Sequence, residues 1–259
     1  MEMLSGEIAV GKDVREEIIA LLEGYVGEVR FNEPMAPYTT MKIGGAAEAI
    51  FFPASIEEVA SLMKRLSKTD IPFFVLGGGS NLLVLDGGIL GIVIHLKNLD
   101  QVVLTGTETL YAEAGISFPK LSVLAQKQGL TGIEFATGIP GTVGGAVAMN
   151  AGIPGSTTES VIKNVTVVTC QGEVVALSKE ECAFSYRATG LPEGVIVSAE
   201  LMLQSAELQT IEKKRIEQVK RRRETQPLNY PNAGSIFKNP GSLLMPSAGK
   251  LIEQVHLKG

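Results

Sequence analysis

The chain has 259 residues, 45% of them hydrophobic, and a formal net charge of −5. That length allows one large domain or two moderate ones with a real core, and the negative charge argues against general attraction to nucleic acid. No window approaches the roughly 20 apolar residues of a membrane span, the acidic N-terminus does not resemble a signal peptide, and Cys170 and Cys182 are too few for a metal set or a disulfide framework. We therefore expect a cytoplasmic protein that binds no metal, no membrane and no nucleic acid.

The first half of the chain alternates between helical and extended patterns. Apolar residues on one face of residues 9–27 predict a helix. The capping box Ser55-Ile56-Glu57-Glu58 predicts the start of a second helix, which runs to about Ser67. Ser117 and Gly129 are the predicted cap and stop of a third. The predicted strands are 48–52, 71–76, 90–96 and 109–114.

The second half begins with extended segments and ends with helical ones. A hairpin is predicted from residues 164–169 and 173–177 around Gln171-Gly172, and a strand from Val195 to Leu203. A further capping box, Ser178-Lys179-Glu180-Glu181, predicts another helix start. Helices are also predicted over the basic stretch Ile211–Arg223 and from Ser247 to Leu257, with Gly259 as the stop. Helices interrupt strands irregularly, so the fold class predicted is α+β.

The composition changes near residue 206, where the basic stretch begins. We therefore predict a first domain over residues 1–205, made of two α+β subdomains at about 1–95 and 96–205, and a second domain over 206–259. Roughly 50 residues is near the lower limit for a domain with its own core, so the second domain is expected to be incomplete.

Two glycine-rich loops carry the strongest functional signal. Gly77-Gly78-Gly79-Ser80-Asn81-Leu82 follows an apolar strand, and residues 139–152 form a longer tract of glycine and alanine. Glycines let a backbone turn tightly and approach a ligand, and successive exposed amides bind anions such as phosphate. Neither loop has the spacing of a P-loop or of a dinucleotide fingerprint. Together they predict one elongated phosphate-containing cofactor held at two points.

Three further segments concentrate polar chemistry. Ser235 follows Ala233-Gly234 but has no histidine near it, so a hydrogen-bonding or proton-donating role is favoured over a nucleophilic one. Arg187, after Tyr186, could pair with a carboxylate in a bidentate fork, although a plain surface arginine is the commoner case. The basic helix is most simply a solvated face, and its alternative role is to bind a diphosphate.

These motifs, taken in order, resemble the UDP-N-acetylenolpyruvoylglucosamine reductase family over nearly the whole chain. The resemblance rests on Tyr38-Thr39-Thr40-Met41-Lys42-Ile43-Gly44-Gly45, the two glycine-rich loops, Phe184-Ser185-Tyr186-Arg187, Gly234-Ser235-Ile236-Phe237-Lys238-Asn239-Pro240 and Ala248-Gly249-Lys250-Leu251-Ile252-Glu253-Gln254. The chain lacks an extra loop near Tyr186 to Val195, and in this it resembles the shorter, second type of the family.

The resemblance implies an FAD-binding fold of the vanillyl-alcohol oxidase and p-cresol methylhydroxylase kind, with two subdomains and a substrate domain. It implies that NADPH reduces the flavin and that an enolpyruvyl UDP-sugar then receives hydride at C3, a step of peptidoglycan precursor synthesis. Arg187 matches the arginine that stabilises charge on the substrate carboxylate, and Ser235 matches the serine that protonates C2. Tyr186, Arg223 and Asn239 match substrate-contact positions. The cofactor-binding positions expected are Gly77, Gly78, Gly79, Ser80, Asn81, Leu82, Ile139, Pro140, Gly141, Thr142, Gly144, Gly145, Ala148, Asn150 and Gly152.

The sequence departs from the family pattern near its end. Val255-His256 stands where the family often has Ala-Gly, and the family's further segment with a carboxylate-polarising glutamate does not follow Leu257-Lys258-Gly259. We therefore expect FAD binding with weak or absent reduction of the enolpyruvyl substrate. Two alternatives remain: a non-catalytic FAD-binding module, and a flavin oxidase or dehydrogenase of the same fold. The glycine loops hold no His or Cys for covalent flavin attachment, which counts against the oxidase.

Overall fold

The structure is a computed structural model that describes residues 2–4, 12–226, 229–240 and 246–257. Within these residues the strands are β1 Glu2–Leu4, β2 Glu28–Pro34, β3 Ala46–Phe52, β4 Phe73–Leu76, β5 Leu82–Val84, β6 Ile89–His95, β7 Val102–Leu104, β8 Thr109–Glu113, β9 Leu130–Thr131, β10 Gly152–Ile153, β11 Ser156–Thr157, β12 Ile162–Thr169, β13 Val174–Ser178, β14 Gly194–Met202 and β15 Gln204–Ser205. The α-helices are α1 Lys12–Leu22, α2 Ile56–Leu66, α3 Phe118–Lys127, α4 Val143–Ala148, α5 Leu208–Thr225 and α6 Ala248–Gln254. Short 3₁₀ turns occupy Ala36–Tyr38, Leu96–Asn98, Glu134–Gly138 and Thr158–Ser160.

The first sheet is mixed and has the strand order β2-β3-β6-β4. β3, β6 and β4 run parallel, whereas β2 pairs antiparallel with β3 at the edge. The segment between β3 and β4 contains α2, whose buried residues Val59, Leu62, Met63 and Leu66 recur at helical spacing. The parallel strands β4 and β6 both end near the first glycine-rich loop, which follows Leu76 directly.

The second sheet is antiparallel and has the order β13-β12-β14-β8-β7. The predicted hairpin is confirmed, since Val168 pairs with Val174 around Gly172, whose φ of +80° suits a glycine. Helices α3 and α4 contribute Phe118, Leu121 and Val147 to the apolar core that lines this sheet. A second apolar cluster joins the two sheets, because it contains Ile92 and Ile94 from one and Val195 and Val197 from the other.

The basic helix α5 is exposed along much of its length but is attached to the second sheet's layer by polar contacts. Lys214 Nζ lies 3.8 Å from a carboxylate oxygen of Glu134, and Arg215 Nε donates to Thr137 Oγ1 at 3.1 Å. Both partners belong to the 3₁₀ turn at Glu134–Gly138. These contacts place the start of the C-terminal segment beside the second glycine-rich loop, which begins at Ile139.

The prediction of a helix over residues 9–27 was wrong at its C-terminal end. The helix ends at Leu22, Gly24 adopts φ +84°, and β2 begins at Glu28. Residues 9–11 lie outside the described residues. The missed strand is an edge strand with charged side chains, so its apolar alternation is weak.

Three capping predictions had different outcomes. Ser55 caps α2 as predicted and accepts a hydrogen bond from Glu58 N. Ser178 and Glu181 also make the reciprocal hydrogen bonds of a capping box, but only a turn follows, because Ala183 takes a left-handed φ of +42°. Ser117 precedes α3 without a side-chain cap.

The last helix is shorter than predicted. Ser247 Oγ caps α6 by accepting from Lys250 N, but α6 ends at Gln254, and His256 takes a left-handed φ of +58°. Gly259, the predicted stop, lies outside the described residues.

The strands predicted at 48–52, 71–76, 90–96, 109–114 and 195–203 are confirmed within two residues at each end. The α+β class is confirmed by two sheets with helices packed between and beside them. The division into domains at residues 95 and 205 stays a prediction. None of the described helices is both long and apolar enough to cross a membrane.

Candidate cofactor cleft and active site

The first glycine-rich loop is built from positions where a side chain does not fit. A Cβ on Gly77 would lie 2.4 Å from Thr142 Oγ1, and one on Gly78 would lie 3.0 Å from Gly141 Cα. Gly79 has φ +57°, and its Cβ would lie 2.0 Å from the carbonyl oxygen of Tyr38. The three glycines are therefore packed against Thr142, Gly141 and Tyr38, and the constraint is strictest at Gly79, where the neighbour is backbone and φ is positive.

The second glycine-rich loop approaches the first one directly. Gly141 has φ +117°, and Ser80 Oγ donates to Pro140 O at 3.1 Å. Thr142 caps α4 through its Oγ1, which accepts from Gly145 N. The predicted convergence of the two loops is thus observed, although they lie more than 50 residues apart in sequence.

Several backbone N–H groups in the two loops have no acceptor within the described residues. These are the amides of Gly78, Gly79, Ser80 and Asn81 in the first loop, and of Gly141 and Thr142 in the second. Clustered unpaired amides form an anion-binding concavity. The arrangement suits a ligand with negatively charged oxygens.

A cleft of about 340 Å³ opens beside these loops. Its wall residues are Pro37, Tyr38, Thr39, Thr40, Lys42, Gly77, Gly78, His95, Lys97, Gly115 and Thr142. Both sheets contribute, since His95 ends β6 and Gly115 lies just beyond β8.

Aromatic and cationic groups form one side of the cleft. The ring of His95 packs against Tyr38 and Phe52, with centroid distances of 5.5 and 5.3 Å. Lys97 Nζ lies 3.7 Å from the centroid of Phe52 and 3.6 Å from a Glu28 carboxylate oxygen. Burial, with a smaller contribution from the Lys97 charge, lowers the pKa of His95 to about 4. His95 is therefore neutral at pH 7, and its Nδ1 is buried with no hydrogen-bond partner among the described residues.

Tyr38 is fixed at the mouth of the cleft by two charged neighbours. Its hydroxyl donates to Glu33 Oε1 at 2.8 Å and accepts from Arg30 Nη1 at 2.8 Å. Burial and the Glu33 carboxylate raise the pKa of Tyr38. The phenol therefore stays protonated and acts as a fixed wall of the cleft.

Arg187 lies at the end of the second glycine-rich loop. Its Nη1 donates to Asn150 O at 3.3 Å and its Nη2 to Gly152 O at 3.2 Å. Two of the five guanidinium N–H donors are thereby used, and the others remain for a ligand. The backbone of Arg187 is left-handed, with φ +59°, which turns the chain sharply at this residue.

Asn150 connects that arginine to the rest of the loop. Its Nδ2 donates to Ser185 O at 3.1 Å and to Glu159 Oε2 at 3.3 Å, and its Oδ1 accepts from Glu159 N at 3.1 Å. The side chain is buried and engaged with protein on both sides. Its predicted contact with a cofactor stays a prediction, and the structure adds a second role as a bridge to the segment that carries Arg187.

The C-terminal residues contact the Tyr186-Arg187 segment and the cleft wall through different groups. Asn239 N donates to Tyr186 Oη at 3.3 Å, and Asn239 Oδ1 accepts from Ala248 N at the start of α6. Ser235 is exposed, one residue after Gly234, whose φ is +74°. The preceding Asn232 is tied to the cleft, since its carbonyl oxygen accepts from Thr40 Oγ1 at 2.6 Å.

Arg223 is placed elsewhere. It lines a surface groove of about 240 Å³ on α5, together with Glu212, Arg215, Ile216, Val219 and Lys220. No contact among the described residues brings Arg223 to the cleft, so its predicted role toward a diphosphate stays a prediction.

The wall residues to which sequence reasoning assigned no role include Thr40, His95 and Lys97. Thr40 belongs to a motif that the resemblance singled out, and His95 is one of only two histidines, at the end of an apolar strand. Those signals mark unusual positions but not their contacts. No group of three or more acidic, histidine or cysteine residues suited to a metal occurs in the described part of the chain.

Comparison with known proteins first defines the class. A sequence model of the FAD-binding domain matches residues 47–178. Chitooligosaccharide oxidase shares the fold, with a TM-score of 0.57 and 19% identity over 73% of this chain and 43% of that one. The two-sheet architecture with converging glycine loops is therefore an FAD-binding fold, as predicted.

More similar relatives define the family. The UDP-N-acetylenolpyruvoylglucosamine reductase of Caldanaerobacter subterraneus is 44% identical over 90% of this chain and 76% of the relative, and that of Bacillus subtilis is 42% identical over 92% and 79%. The crystal structure of the Thermus caldophilus reductase superposes with a TM-score of 0.75 and 34% identity, over 90% of this chain and 81% of that one. A model of the family's C-terminal domain matches residues 226–259. The chain belongs to the UDP-N-acetylenolpyruvoylglucosamine reductase family.

The residues of the cleft fit FAD. Unpaired amides from two loops suit a diphosphate, and the glycines let the two loops lie directly against each other. His95 lines the same cleft as a neutral side chain, and its buried Nδ1 has no protein partner among the described residues. The chain is thus an FAD-binding member of an oxidoreductase family.

Proposed function

We propose that this chain uses FAD to transfer a hydride from NADPH to the enolpyruvyl group of UDP-N-acetylenolpyruvoylglucosamine, a step of peptidoglycan precursor synthesis in the cytoplasm. The observation that carries the proposal is the convergence of both glycine loops with the Tyr186-Arg187 segment and Asn239. Bound FAD supplies two-electron hydride chemistry at its ring system. All other steps belong to this chain's own side chains and amides.

The glycine loops bind and orient the cofactor. The amides of Gly78 to Asn81 and of Gly141 and Thr142 would hold the cofactor's diphosphate, since they are unpaired among the described residues. Ile139, Pro140, Gly144, Gly145, Ala148 and Gly152 shape the second wall. His95 forms an uncharged part of the cleft wall because its pKa of about 4 keeps it neutral near pH 7.

Arg187 binds the substrate carboxylate. Hydride addition at C3 develops negative charge on the enolpyruvyl carboxylate, and a fixed guanidinium stabilises that charge. Asn150 O and Gly152 O hold the guanidinium before substrate arrives, so little reorganisation is needed. Tyr186 and Asn239 form the adjoining substrate wall, and Arg223 is proposed to meet the UDP diphosphate.

Ser235 supplies the proton. Its Oγ donates to C2 while the new C–H bond forms at C3, which completes the reduction of the double bond. A serine hydroxyl is a weak acid in water, so nearby positive charge has to stabilise the alkoxide that the step leaves, which then takes a proton from solvent.

The test separates binding, flavin reduction and substrate reduction. The purified chain with FAD is expected to show a flavin spectrum, and anaerobic NADPH is expected to bleach it. Adding the enolpyruvyl UDP-sugar should restore the colour in a single turnover, and the rate of that step measures substrate reduction.

Two variants assign the steps. Ser235→Ala and Arg187→Ala should retain bleaching by NADPH and slow substrate-driven recovery by about 100-fold, within the usual contribution of a general acid. A chain that binds FAD but never bleaches would be the non-catalytic module. Oxygen-driven recovery without any effect of the UDP-sugar would point instead to an oxidase.

A further inference from the structure

Thr40 joins three segments that are distant in sequence. Its backbone N–H donates to Gly79 O at 3.1 Å, which ties it to the first glycine loop. Its hydroxyl donates to Asn232 O at 2.6 Å, across 192 residues of sequence. The same Oγ1 is 3.4 Å from Gly79 O, but a hydroxyl has one proton, so the shorter bond to Asn232 takes it.

Asn232 transmits that contact to the next residues of its turn. Its Oδ1 accepts from Gly234 N at 3.2 Å, and its Nδ2 donates to Tyr230 O at 2.9 Å. Such a side-chain bond to an amide two residues ahead closes an Asx turn. The turn delivers the chain to Gly234, in its left-handed conformation, and then to Ser235.

We propose that Thr40 is a positioning residue that fixes the Asn232–Ser235 turn over the cofactor cleft and so holds the hydroxyl of Ser235 at the reacting carbon. The inference rests on the proposed role of Ser235. The hydrogen bonds run without a break from Gly79 through Thr40 to Asn232 and Gly234. Through these bonds, the position of the first glycine loop fixes the position of the Asn232–Ser235 turn.

The loss of this hydroxyl is expected to affect placement more than stability. Asn232 is only partly buried, so its freed carbonyl can be solvated, and the Thr40 N–H bond to Gly79 remains in a valine variant. A displacement of about 1 Å at a reacting group can cost on the order of 100-fold in rate. The effect should fall on substrate reduction rather than on reduction by NADPH.

The experiment compares Thr40→Val with Thr40→Ser in the FAD-loaded chain. The valine variant should lower the ratio of substrate-driven recovery to NADPH-driven bleaching by at least about 10-fold, and serine should restore it. Hydrogen exchange of the peptide covering residues 229–240 should accelerate in the valine variant alone. Thr105→Val is the control, since it also removes one hydroxyl bond to a carbonyl, that of Thr109, on an exposed hairpin.

A double variant shows whether Thr40 acts through Ser235. Thr40→Val should have no further effect on the ratio when Ser235 is already alanine, because interacting positions are not additive. Additive losses, or an unchanged ratio and exchange rate in Thr40→Val, would overturn the inference. If Ser235→Ala has no effect by itself, the proposed function fails, while the exchange measurement still decides whether Thr40 fixes the turn.

Asn232→Ala provides a second route if Thr40→Val does not bind FAD. It opens the Asx turn and leaves every wall residue of the cleft unchanged. Faster exchange and a lowered ratio would support the inference. A normal ratio despite faster exchange would show that the placement of this turn does not matter and would overturn it.

Discussion

Replacing Gly79 by alanine tests how the first glycine loop is built. Gly79 has φ +57°, and an added Cβ would lie 2.0 Å from Tyr38 O and 2.9 Å from Thr39 Cα. The left-handed conformation costs an L-residue about 1–2 kcal/mol, of which about 0.4–1 kcal/mol is offset by lower unfolded-state entropy. Displacing the backbone of the Tyr38-Thr39 segment adds about 1–3 kcal/mol. We therefore expect a loss of about 3 kcal/mol in the free energy of unfolding.

Two other glycines separate these contributions. Gly24 has φ +84° but nothing within 4 Å of its Cβ position, so Gly24→Ala should cost about 1 kcal/mol or less. Gly87 lacks both the positive φ and the close neighbours, so Gly87→Ala should be neutral or stabilise by up to about 1 kcal/mol. The difference between the Gly79 and Gly24 variants measures steric exclusion alone.

The assay is thermal unfolding, with and without FAD, together with titration of FAD. For a chain of this size about 1 kcal/mol corresponds to roughly 2–4 °C in Tm, so Gly79→Ala should melt about 6–12 °C lower. Its affinity for FAD should fall at least about tenfold, or 1.4 kcal/mol, since the displaced backbone carries the unpaired amides. Equal melting temperatures and FAD affinities in the Gly79 and Gly24 variants would refute the steric account.

Three further outcomes are expected from the contacts around the cleft. The pKa of His95 is lowered to about 4 in the native state, so as pH falls from 6.5 to 4 the unfolded chain binds a proton that the native chain does not. The free energy of unfolding should therefore drop by at most about 3 kcal/mol over that range. Urea titrations at several pH values should show a smaller drop in His95→Gln. Asn150→Asp places a carboxylate about 3.3 Å from that of Glu159, and it should slow reoxidation by substrate but not reduction by NADPH. Adding Glu159→Gln should restore part of the lost rate. A double variant as slow as Asn150→Asp would contradict the role of Asn150 as a bridge. Glu134→Ala leaves the Gly132 amide without its partner at 2.8 Å and removes the Lys214 contact, so it should lower the free energy of unfolding by about 2 kcal/mol in denaturant titrations. Lys214→Ala should lower it by less than about 1 kcal/mol, because the lysine side chain is half exposed.

The fold was predictable where burial imposes a pattern. β6 and β14 carry long apolar runs because both lie inside their sheets, and their limits were found within two residues. β2 was missed because it is an edge strand, where Glu28, Arg30 and Glu33 remain in contact with solvent and dilute the alternation. The capping box at Ser178 formed its hydrogen bonds without a helix, since local side-chain chemistry does not decide the conformation of the next residues.

The site was predictable to the extent that glycine reveals backbone constraint. A triple glycine signals close approach from sequence alone, and the structure supplies the neighbours that require it. The bond between Thr40 and Asn232 leaves no local signal, because its partner is a backbone carbonyl 192 residues away and any residue has one. The burial of His95 Nδ1 without a partner likewise leaves no local signal, because the rings packed against His95 are those of Tyr38 and Phe52, from two other segments.

The contact between Gly78 and Gly141 also bears on how such proteins diversify. A methyl group on Gly78 would meet Gly141 Cα at 3.0 Å, so Gly78 can take a side chain only if Gly141 shifts slightly. Because these residues lie on separate halves of the chain, swapping one half between related enzymes would separate each loop from the loop it packs against. A chimera joined between the two loops should therefore fold only when the backbones of both parents follow the same path at Gly78 and at Gly141.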